Sequence, residues 1–308
     1  ANYSKSTGKE DFNYRPPVDV GSSTNRLDDN VRLQNGSLWR GNLIFPLGFT
    51  PQFFGDLTDY SFTGGYKGLI GGNFGYDISG RYGENHISYK LEDSINFSMG
   101  PASPTSFHAG DLYADELGLN ADFTYELTGV TPQALSTAFG LEFRREGYKI
   151  GPGDPASYTP GPFSVADPYD FCTNEATVTQ RTLRPGAPQG QGIACADAND
   201  PVYRSLGVGS NGFQGFPPLY TGHLDRDSYA AYFDASTDLT DQLFAQASIR
   251  AEKFSDFGST LDFKLAGRYE FSRAFAVRGS VGSGFRAPTP GQQFTTVVST
   301  GISNQGVP

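Results

Sequence analysis

The feature that most limits the fold of this chain is a strict alternation of apolar and polar residues, repeated many times. In residues 261–271, apolar side chains or glycine stand at the odd positions, and Asp, Lys, Ala, Arg and Glu stand at the even positions. Successive side chains of a β-strand point to opposite faces, so this period of two predicts strands with one apolar and one polar face. The pattern returns in residues 74–82, 87–92, 119–127, 243–252 and 275–286.

Segment length and turn length distinguish the two kinds of sheet that give this pattern, a soluble sandwich and a membrane barrel. The alternating runs are about 9 to 13 residues long. A tilted strand needs roughly 9–11 residues to cross a bilayer, whereas a globular strand has about 5–6. Tight turns at 240–241 and 272–273 alternate with longer connections such as 99–118, as in outer-membrane barrels. The sequence therefore predicts an all-β fold, a transmembrane antiparallel β-barrel.

Composition agrees with strands and excludes several other classes of protein. The 308 residues include 39 Gly, 17 Tyr and 25 Phe, which favours short turns and aromatic girdles over helices. The mean hydropathy of −0.41 is compatible with a barrel, because alternate residues of its strands are polar. No run of 18 apolar residues occurs, which excludes a transmembrane helix. The net charge is −10 and the 23 Lys and Arg are scattered, which argues against a nucleic acid partner.

The longest connection, residues 151–226, is predicted to be a long extracellular loop. It is rich in proline and glycine and contains both cysteines, Cys172 and Cys195. A disulfide between them implies an oxidising compartment, and the chain-entropy argument gives it about 3 kcal/mol of stabilisation. Two free thiols are the alternative. A zinc site is disfavoured, because no CxxC motif or nearby histidine pair accompanies the cysteines.

The two ends of the chain carry weaker signals. Residues 1–14 and 35–45 are predicted strands joined by a polar loop, which gives nine to eleven strands in total. The N-terminal residues lack the apolar region of a signal peptide. The chain contains no mixed α/β segment and ends in a loop-like stretch, residues 301–308. We therefore expect residues 1–308 to be part of one β-barrel domain, with both ends cut.

Four segments resemble, in the expected order, the barrel signatures of proteobacterial TonB-dependent outer-membrane receptors. They are residues 94–107, 138–146, 252–260 and 279–294, and the resemblance covers about residues 55–300. It implies a barrel of about 22 strands around an N-terminal plug, of which this chain would be about half, without the plug and the C-terminal strands. It also implies a place in the Gram-negative outer membrane, in contact with outer-membrane lipid and lipopolysaccharide.

The same resemblance implies a function in transport. A receptor of this family takes up a scarce nutrient, such as an iron–siderophore chelate, and is energised by the TonB complex through its plug segment. Uptake of an oligosaccharide or cobalamin, a passive porin, and a structural or interaction component of an outer-membrane assembly are the alternatives. Open strand edges do not persist in lipid, so the remaining barrel and plug residues are expected partners that complete the wall.

The sequence offers little support for enzymatic chemistry, a cofactor or a metal. His86, His108 and His223 have no neighbour at ligand spacing, and no Ser/His arrangement suggests a hydrolase. The glycine pattern at residues 279–284 lies in a strand and is not followed by a helix, which disfavours nucleotide binding. We expect no catalytic site and no cofactor.

Two sets of residues are the candidate site residues. The first set is predicted to face the lumen and hold the plug through bidentate contacts, although an ordinary solvated lumen is an equal alternative. The second set lies in the long loop and is predicted to contact ligand, with loop packing as the favoured alternative. The first set is Arg81, Arg144, Arg250, Arg268, Arg278 and Arg286, and the second is Tyr203, Phe213, Phe216 and Tyr220.

Overall fold

The computed structural model describes residues 1–18 and 27–294, and its main feature is one large antiparallel sheet. Within the described residues, nine strands pair in the order β1-β4-β5-β6-β7-β8-β9-β10-β11, so that β1 and β11 form the edges. A small separate hairpin pairs β2 with β3. The strands are β1 (Asn2–Asp11), β2 (Val31–Arg32), β3 (Leu38–Trp39), β4 (Gln52–Ile70), β5 (Phe74–Glu92), β6 (Phe107–Leu127), β7 (Leu135–Gly151), β8 (Gly222–Asp238), β9 (Leu243–Phe254), β10 (Gly258–Ser272) and β11 (Phe275–Gly282).

Within the described residues, helical structure is confined to short segments. One α-helix, α1 (Pro290–Phe294), follows β11. Short 3-10 turns lie at Gly41–Leu43, Phe97–Ala102, Pro155–Ser157, Pro162–Ser164, Val178–Gln180, Pro201–Tyr203 and Pro218–Tyr220. In the part of the chain that the structure describes, no helix has the length and apolar character needed to cross a membrane, and this finding concerns helices only.

The all-β, antiparallel prediction is confirmed, while several predicted boundaries are wrong. Residues 35–45 do not form a strand: only Leu38–Trp39 is extended, because Gly36 turns the chain at a φ of 82° and a 3-10 turn follows at Gly41–Leu43. The connection predicted at 99–118 ends earlier, since β6 begins at Phe107. The connection between β7 and β8 covers residues 152–221, so residues 222–226 of the expected loop belong to β8.

Residues that pair across the sheet share a face, and the register defines two faces. The outer face carries Tyr82 and its partner Leu117, and the inner face carries Arg81 and its partner Gly118. The outer face is apolar and open to its surroundings: Tyr66 is 73% exposed and Leu261 66%. Further exposed apolar residues of this face are Phe62, Ile78, Leu119, Phe139, Leu141, Tyr229, Phe233, Ile249, Phe263, Leu265, Tyr269, Val277 and Val281.

The alternation changes phase within β5, which is one strand and not the two predicted segments. In its first half, Tyr76 and Ile78 point to the outer face; in its second half, Tyr89 and Leu91 point to the inner face. Leu91 is completely buried there. The phase changes because the long connections cover the inner face near this end and bury the apolar side chains there. The outer face of the same stretch carries polar residues. This end of β5 therefore projects beyond the apolar part of the outer face, which we call the apolar band.

The long connections meet at this end of the sheet and form one compact unit, which we call the cap (residues 12–18, 27–51, 93–106 and 152–221). Its core joins Val31 and Trp39 of the first connection with Ile95 of the second and Phe163 of the third. The predicted disulfide is confirmed, since Cys172 and Cys195 are bonded in the third connection. Their side chains lie in a second buried cluster of the cap.

A buried ion pair ties two connections of the cap together. Arg32 and Asp200 have side chains that are 7% and 5% exposed, and the guanidinium contacts both carboxylate oxygens, at 3.2 and 3.0 Å. Arg32 also donates to the carbonyls of Gly36, Gln191 and Gly192. Burial alone would raise the pKa of Asp200, but the hydrogen bonds from Arg32 and from two backbone amides outweigh it, so this pKa lies below its ordinary value.

The cap gives the first prediction. Replacing Arg32 with Met leaves the Asp200 carboxylate buried without its cation, which typically costs about 3–5 kcal/mol. The single tryptophan, Trp39, lies in the cap core and reports its unfolding by fluorescence. We expect the cap of the Arg32→Met variant to unfold at lower denaturant concentration than wild type. Arg204→Met is the control, because Arg204 is 43% exposed and its pair with Asp29 is 3.6 Å long.

The lowered pKa of Asp200 determines how the unfolding of the cap depends on pH. A lowered folded-state pKa stabilises the cap above the ordinary carboxyl pKa, and this stabilisation is lost as the pH falls through the folded value. The difference in the free energy of cap unfolding between wild type and Arg32→Met should therefore be largest near neutral pH and shrink below about pH 4. A pH-independent difference would contradict this role of Asp200.

The outer face gives the second prediction. Ile249 lies on this face, and the preceding residue, Ser248, lies on the inner face. An arginine at a lipid-facing position near the bilayer centre costs about 2–4 kcal/mol, whereas a lumen-facing one is tolerated. We expect Ile249→Arg to lower the free energy of unfolding in lipid vesicles and Ser248→Arg to leave it nearly unchanged. Equal effects of the two substitutions would show that the faces are wrongly assigned.

Candidate functional site

The inner face carries ion pairs both within strands and between strands. Glu142 of β7 accepts from Arg144 at 2.6 Å and from Arg250 of β9 at 3.0 Å. Arg250 also contacts Glu252 at 3.2 Å, and Arg81 of β5 contacts Glu116 of β6 at 2.6 Å. Such partly exposed pairs contribute little stability individually. They do hold the charged side chains in fixed positions on the wall.

The predicted lumen arginines are placed on one face with one exception. Arg81, Arg144, Arg250, Arg268 and Arg278 belong to strands and share the inner face through the register. Arg286 lies beyond β11, which ends at Gly282, and is therefore outside the sheet.

One donor of this set has no partner within the described residues. The Nε atom of Arg144 is buried and makes no hydrogen bond there, although its Nη2 atom is paired with Glu142. A buried donor without a partner costs free energy, so this arginine is held in place by its pair with Glu142 at the expense of one unmet hydrogen bond.

A glycine allows a polar contact to cross one strand of the inner face. Tyr232 of β8 donates its hydroxyl to Asp122 of β6 at 2.6 Å, across the intervening β7. Gly140 of β7 lies under this contact: a Cβ atom there would be 2.5 Å from the Tyr232 ring and 2.6 Å from Asp122. Any side chain at position 140 would therefore break the contact.

Arg226 is an inner-face residue that the sequence analysis did not select. Its side chain is 3% exposed, and its guanidinium donates to Glu146 at 2.6 Å and to the Pro288 carbonyl at 2.6 Å. It also lies over the Phe254 ring at 5.6 Å. The sequence does contain a signal, because Arg226 alternates in phase with Ser228 and Ala230. It was missed because residues up to 226 were predicted to be a loop.

Residues 283–294, which we call the strap, cross the inner face near the cap. The strap includes α1, which begins with a reciprocal cap: the Thr289 amide donates to the Gln292 side chain, and the Gln292 amide donates to the Thr289 hydroxyl. Gly291 approaches the Tyr148 ring so closely that a Cβ atom would be 3.3 Å from it. Together with the bond from Arg226 to Pro288, these contacts fix the strap to β7 and β8.

A concavity of about 770 Å³ lies between the strap and the inner wall, and we call it the vestibule. This volume lies within the range of roughly 300–1,000 Å³ typical of small-molecule sites. The strap contributes residues 289–291. The inner-face residues that line it are Asn2, Ser4, Asp59, Ser61, Thr63, Arg81, Gly83, Asn85, Ala114, Glu116, Glu146 and Tyr148.

The predicted loop aromatics fall into three separate places. Phe213 and Phe216 pack together, and Phe213 also lies against Phe53 of β4 at 4.6 Å, on the side of the cap that meets the wall. Tyr203 lies in the disulfide region and donates its hydroxyl to the Cys195 carbonyl at 2.6 Å. Tyr220 is 37% exposed and belongs to neither group. The four residues do not form one site.

The three histidines all lie on the outer face, above the apolar band. His86 and His108 share the Asp111 carboxylate at 3.1 and 3.2 Å, and His223 contacts Asp225 at 2.9 Å. The sequence spacing did not reveal the first pair, because strand pairing brings its members together. Across residues 1–18 and 27–294, no group of three or more His, Cys, Asp or Glu is arranged to hold a metal ion.

Comparisons with known proteins give a family match along the chain and distant structural matches. The model of a family described as TonB dependent receptor-like, beta-barrel, matches residues 1–307. A search of curated proteins returned no match.

Two of the similar solved structures are siderophore receptors named PirA. The chain is 14% identical to the one from Acinetobacter baumannii, with a TM-score of 0.40, over 77% of this chain and 26% of that chain. It is 12% identical to the one from Pseudomonas aeruginosa, with a TM-score of 0.36, over 79% of this chain and 37% of that chain. The chain thus spans well under half the length of either structure.

The inner face gives the third prediction. Replacing Arg226 with Met leaves Glu146 without its cation and removes the donor to Pro288. We expect the strap to detach, so that amide hydrogen exchange in residues 285–294 becomes faster. Arg268→Met is the control, because Arg268 is 50% exposed and pairs only with Glu270 among the described carboxylates. Unchanged exchange in Arg226→Met would show that the strap is held by other contacts.

Proposed function

The chain belongs to the TonB-dependent receptor-like β-barrel family, and on this premise we propose that it forms part of the wall of an outer-membrane receptor for a scarce nutrient. The proposed nutrient is an iron–siderophore chelate, and the proposed source of energy is the TonB complex. The location is the outer membrane of a Gram-negative cell.

The contrast between the two faces of the sheet supports this proposal most directly. A soluble protein rarely exposes so many large apolar side chains on one surface, whereas a barrel wall needs them against lipid. The outer-face apolar run of β5, residues 74–82, extends about 27 Å along the strand at a rise of 3.4 Å per residue. Tilted by about 40°, it covers roughly 20 Å, close to the apolar band of about 25 Å in outer-membrane barrels.

The edge strands and the inner face support the proposed partners. The free edges of β1 and β11 would leave backbone groups unpaired in lipid, so further strands are proposed to close a barrel of about 22 strands. The inner-face arginines, of which Arg81 and Arg268 are half exposed, are proposed to hold a plug, through which the TonB complex would act. The polar upper part of the outer face is proposed to meet lipopolysaccharide.

Two of the alternatives predict different structures or partners. A passive porin keeps an open lumen, whereas here the cap and the strap cover the inner face near the long connections. A structural or surface-interaction component would co-purify with a stable partner protein. Uptake of an oligosaccharide or of cobalamin would use the same wall, so only ligand experiments separate these from an iron chelate. Ligand contact by Tyr203, Phe213, Phe216 or Tyr220 stays a prediction.

The fourth prediction tests the transport function. Cells that lack the gene for this chain, and the same cells complemented with it, are given ⁵⁵Fe bound to individual siderophores under iron limitation. We expect accumulation in complemented cells only, and its loss when TonB is deleted or the proton-motive force is collapsed, while surface binding persists. Accumulation without TonB would indicate a passive pore. TonB-dependent uptake of cobalamin or an oligosaccharide instead would correct the ligand class.

A further inference from the structure

We propose that the vestibule selects a neutral or positively charged ligand rich in hydrogen-bond donors and rejects polyanionic ligands. For an iron receptor, this means an uncharged or cationic ferric chelate, such as a trihydroxamate, and not a triply negative tris-catecholate chelate. The inference rests on the transport function proposed above and adds the charge class of the ligand.

The first support is the charge balance of the lining. On the inner-face side, the vestibule is lined by three carboxylates, Asp59, Glu116 and Glu146, and by one cation, Arg81. The guanidinium of Arg81 is already paired with Glu116 at 2.6 Å. Glu146 is likewise paired, with Arg226 at 2.6 Å, so among the described residues the Asp59 carboxylate is the charge of this lining that stays unbalanced and faces a bound ligand.

The second support is Asp59, the carboxylate of the lining without a cationic partner. It accepts a hydrogen bond from the neutral amide of Asn85 at 2.5 Å. Within residues 1–18 and 27–294 it takes part in no ion pair, in contrast to Glu116 and Glu146. A ligand ammonium, hydroxyl or amide N–H would complete its hydrogen bonding, whereas a ligand carboxylate or catecholate oxygen would be repelled.

The third support is that carboxylates of the wall already balance the charges of the nearby arginines, Arg81 and Arg226. Arg226 lies behind the lining, 3% exposed, and its donors are used by Glu146 and by the strap carbonyl of Pro288. Binding a polyanion strongly requires donors with spare hydrogen bonds, as in bidentate guanidinium sites. Arg226 offers no donor without breaking an existing contact, and Arg81, whose Nη2 is paired with Glu116, would bring a polyanion close to that carboxylate.

The remaining lining suits a polar, uncharged ligand. Ser61, Thr63 and Asn85 supply hydroxyl and amide groups, Tyr148 supplies an aromatic face, and the strap closes the opposite side. A partly enclosed site of this kind strengthens charge discrimination, because it excludes part of the screening water.

The test compares two gallium chelates on the purified receptor in detergent, by calorimetric titration at low ionic strength. The probes are an uncharged Ga(III) trihydroxamate and a trianionic Ga(III) tris-catecholate. We expect the trihydroxamate to bind at least about tenfold more tightly, a difference of about 1.4 kcal/mol. The preference should fall as salt is raised, since screening weakens like-charge repulsion.

Asp59→Asn is the test variant, and Asp77→Asn is the matched control on the same face, outside the vestibule. We expect Asp59→Asn to reduce the preference several-fold and Asp77→Asn to leave it unchanged. Equal affinities, tighter binding of the tris-catecholate, binding of neither chelate, or a preference that Asp59→Asn does not alter would each overturn the inference. TonB-dependent uptake of a tris-catecholate in cells would overturn it while sustaining the transport function, and the absence of all TonB-dependent uptake would remove that function itself.

Discussion

The rest of the structure depends on one constraint: in hydrocarbon, every backbone N–H and C=O must find its hydrogen bond inside the protein. An antiparallel ladder satisfies it, and the nine paired strands supply such a ladder. Once the backbone is committed to strands, side chains alternate between the two faces. The apolar outer face and the ion-paired inner face follow from that geometry.

The same constraint explains why the charged side chains that form ion pairs are concentrated at two places, the inner face and the region of the cap. Charges cannot face lipid, so they gather on the inner face, where Glu142, Arg250 and their neighbours pair across strands. Above the apolar band the strands are free of lipid, and the cap can pack against them. There Arg32 and Asp200 join two connections, and Arg226 joins the strap to the wall. Both arginines are nearly buried: Arg32 holds the cap together, and Arg226 positions the strap that closes one side of the vestibule.

The sequence was sufficient for the fold and insufficient for the site. The alternation in residues 261–271 predicted β10 correctly, because it depends only on neighbours in the chain. The two halves of β5 were predicted as separate segments, because the strand reverses its apolar side between them. Only the packing of Tyr89 under the cap explains this reversal. Arg226, the Asp111 bridge between His86 and His108, and the separation of Tyr203 from Phe213 all depend on residues far apart in sequence. Local patterns do not encode such contacts.

The central claim is that the outer face lies in lipid and the inner face does not. Its most direct test places a single tryptophan at two adjacent positions of β8, Phe233→Trp on the outer face and Asp234→Trp on the inner face, in a Trp39→Phe background. The receptor is reconstituted in vesicles whose lipids carry bromine atoms on their acyl chains. Bromine quenches the fluorescence of a tryptophan only when the two are close together. The account predicts strong quenching at position 233 and little at position 234. Equal quenching at both positions, or stronger quenching at 234, would contradict it.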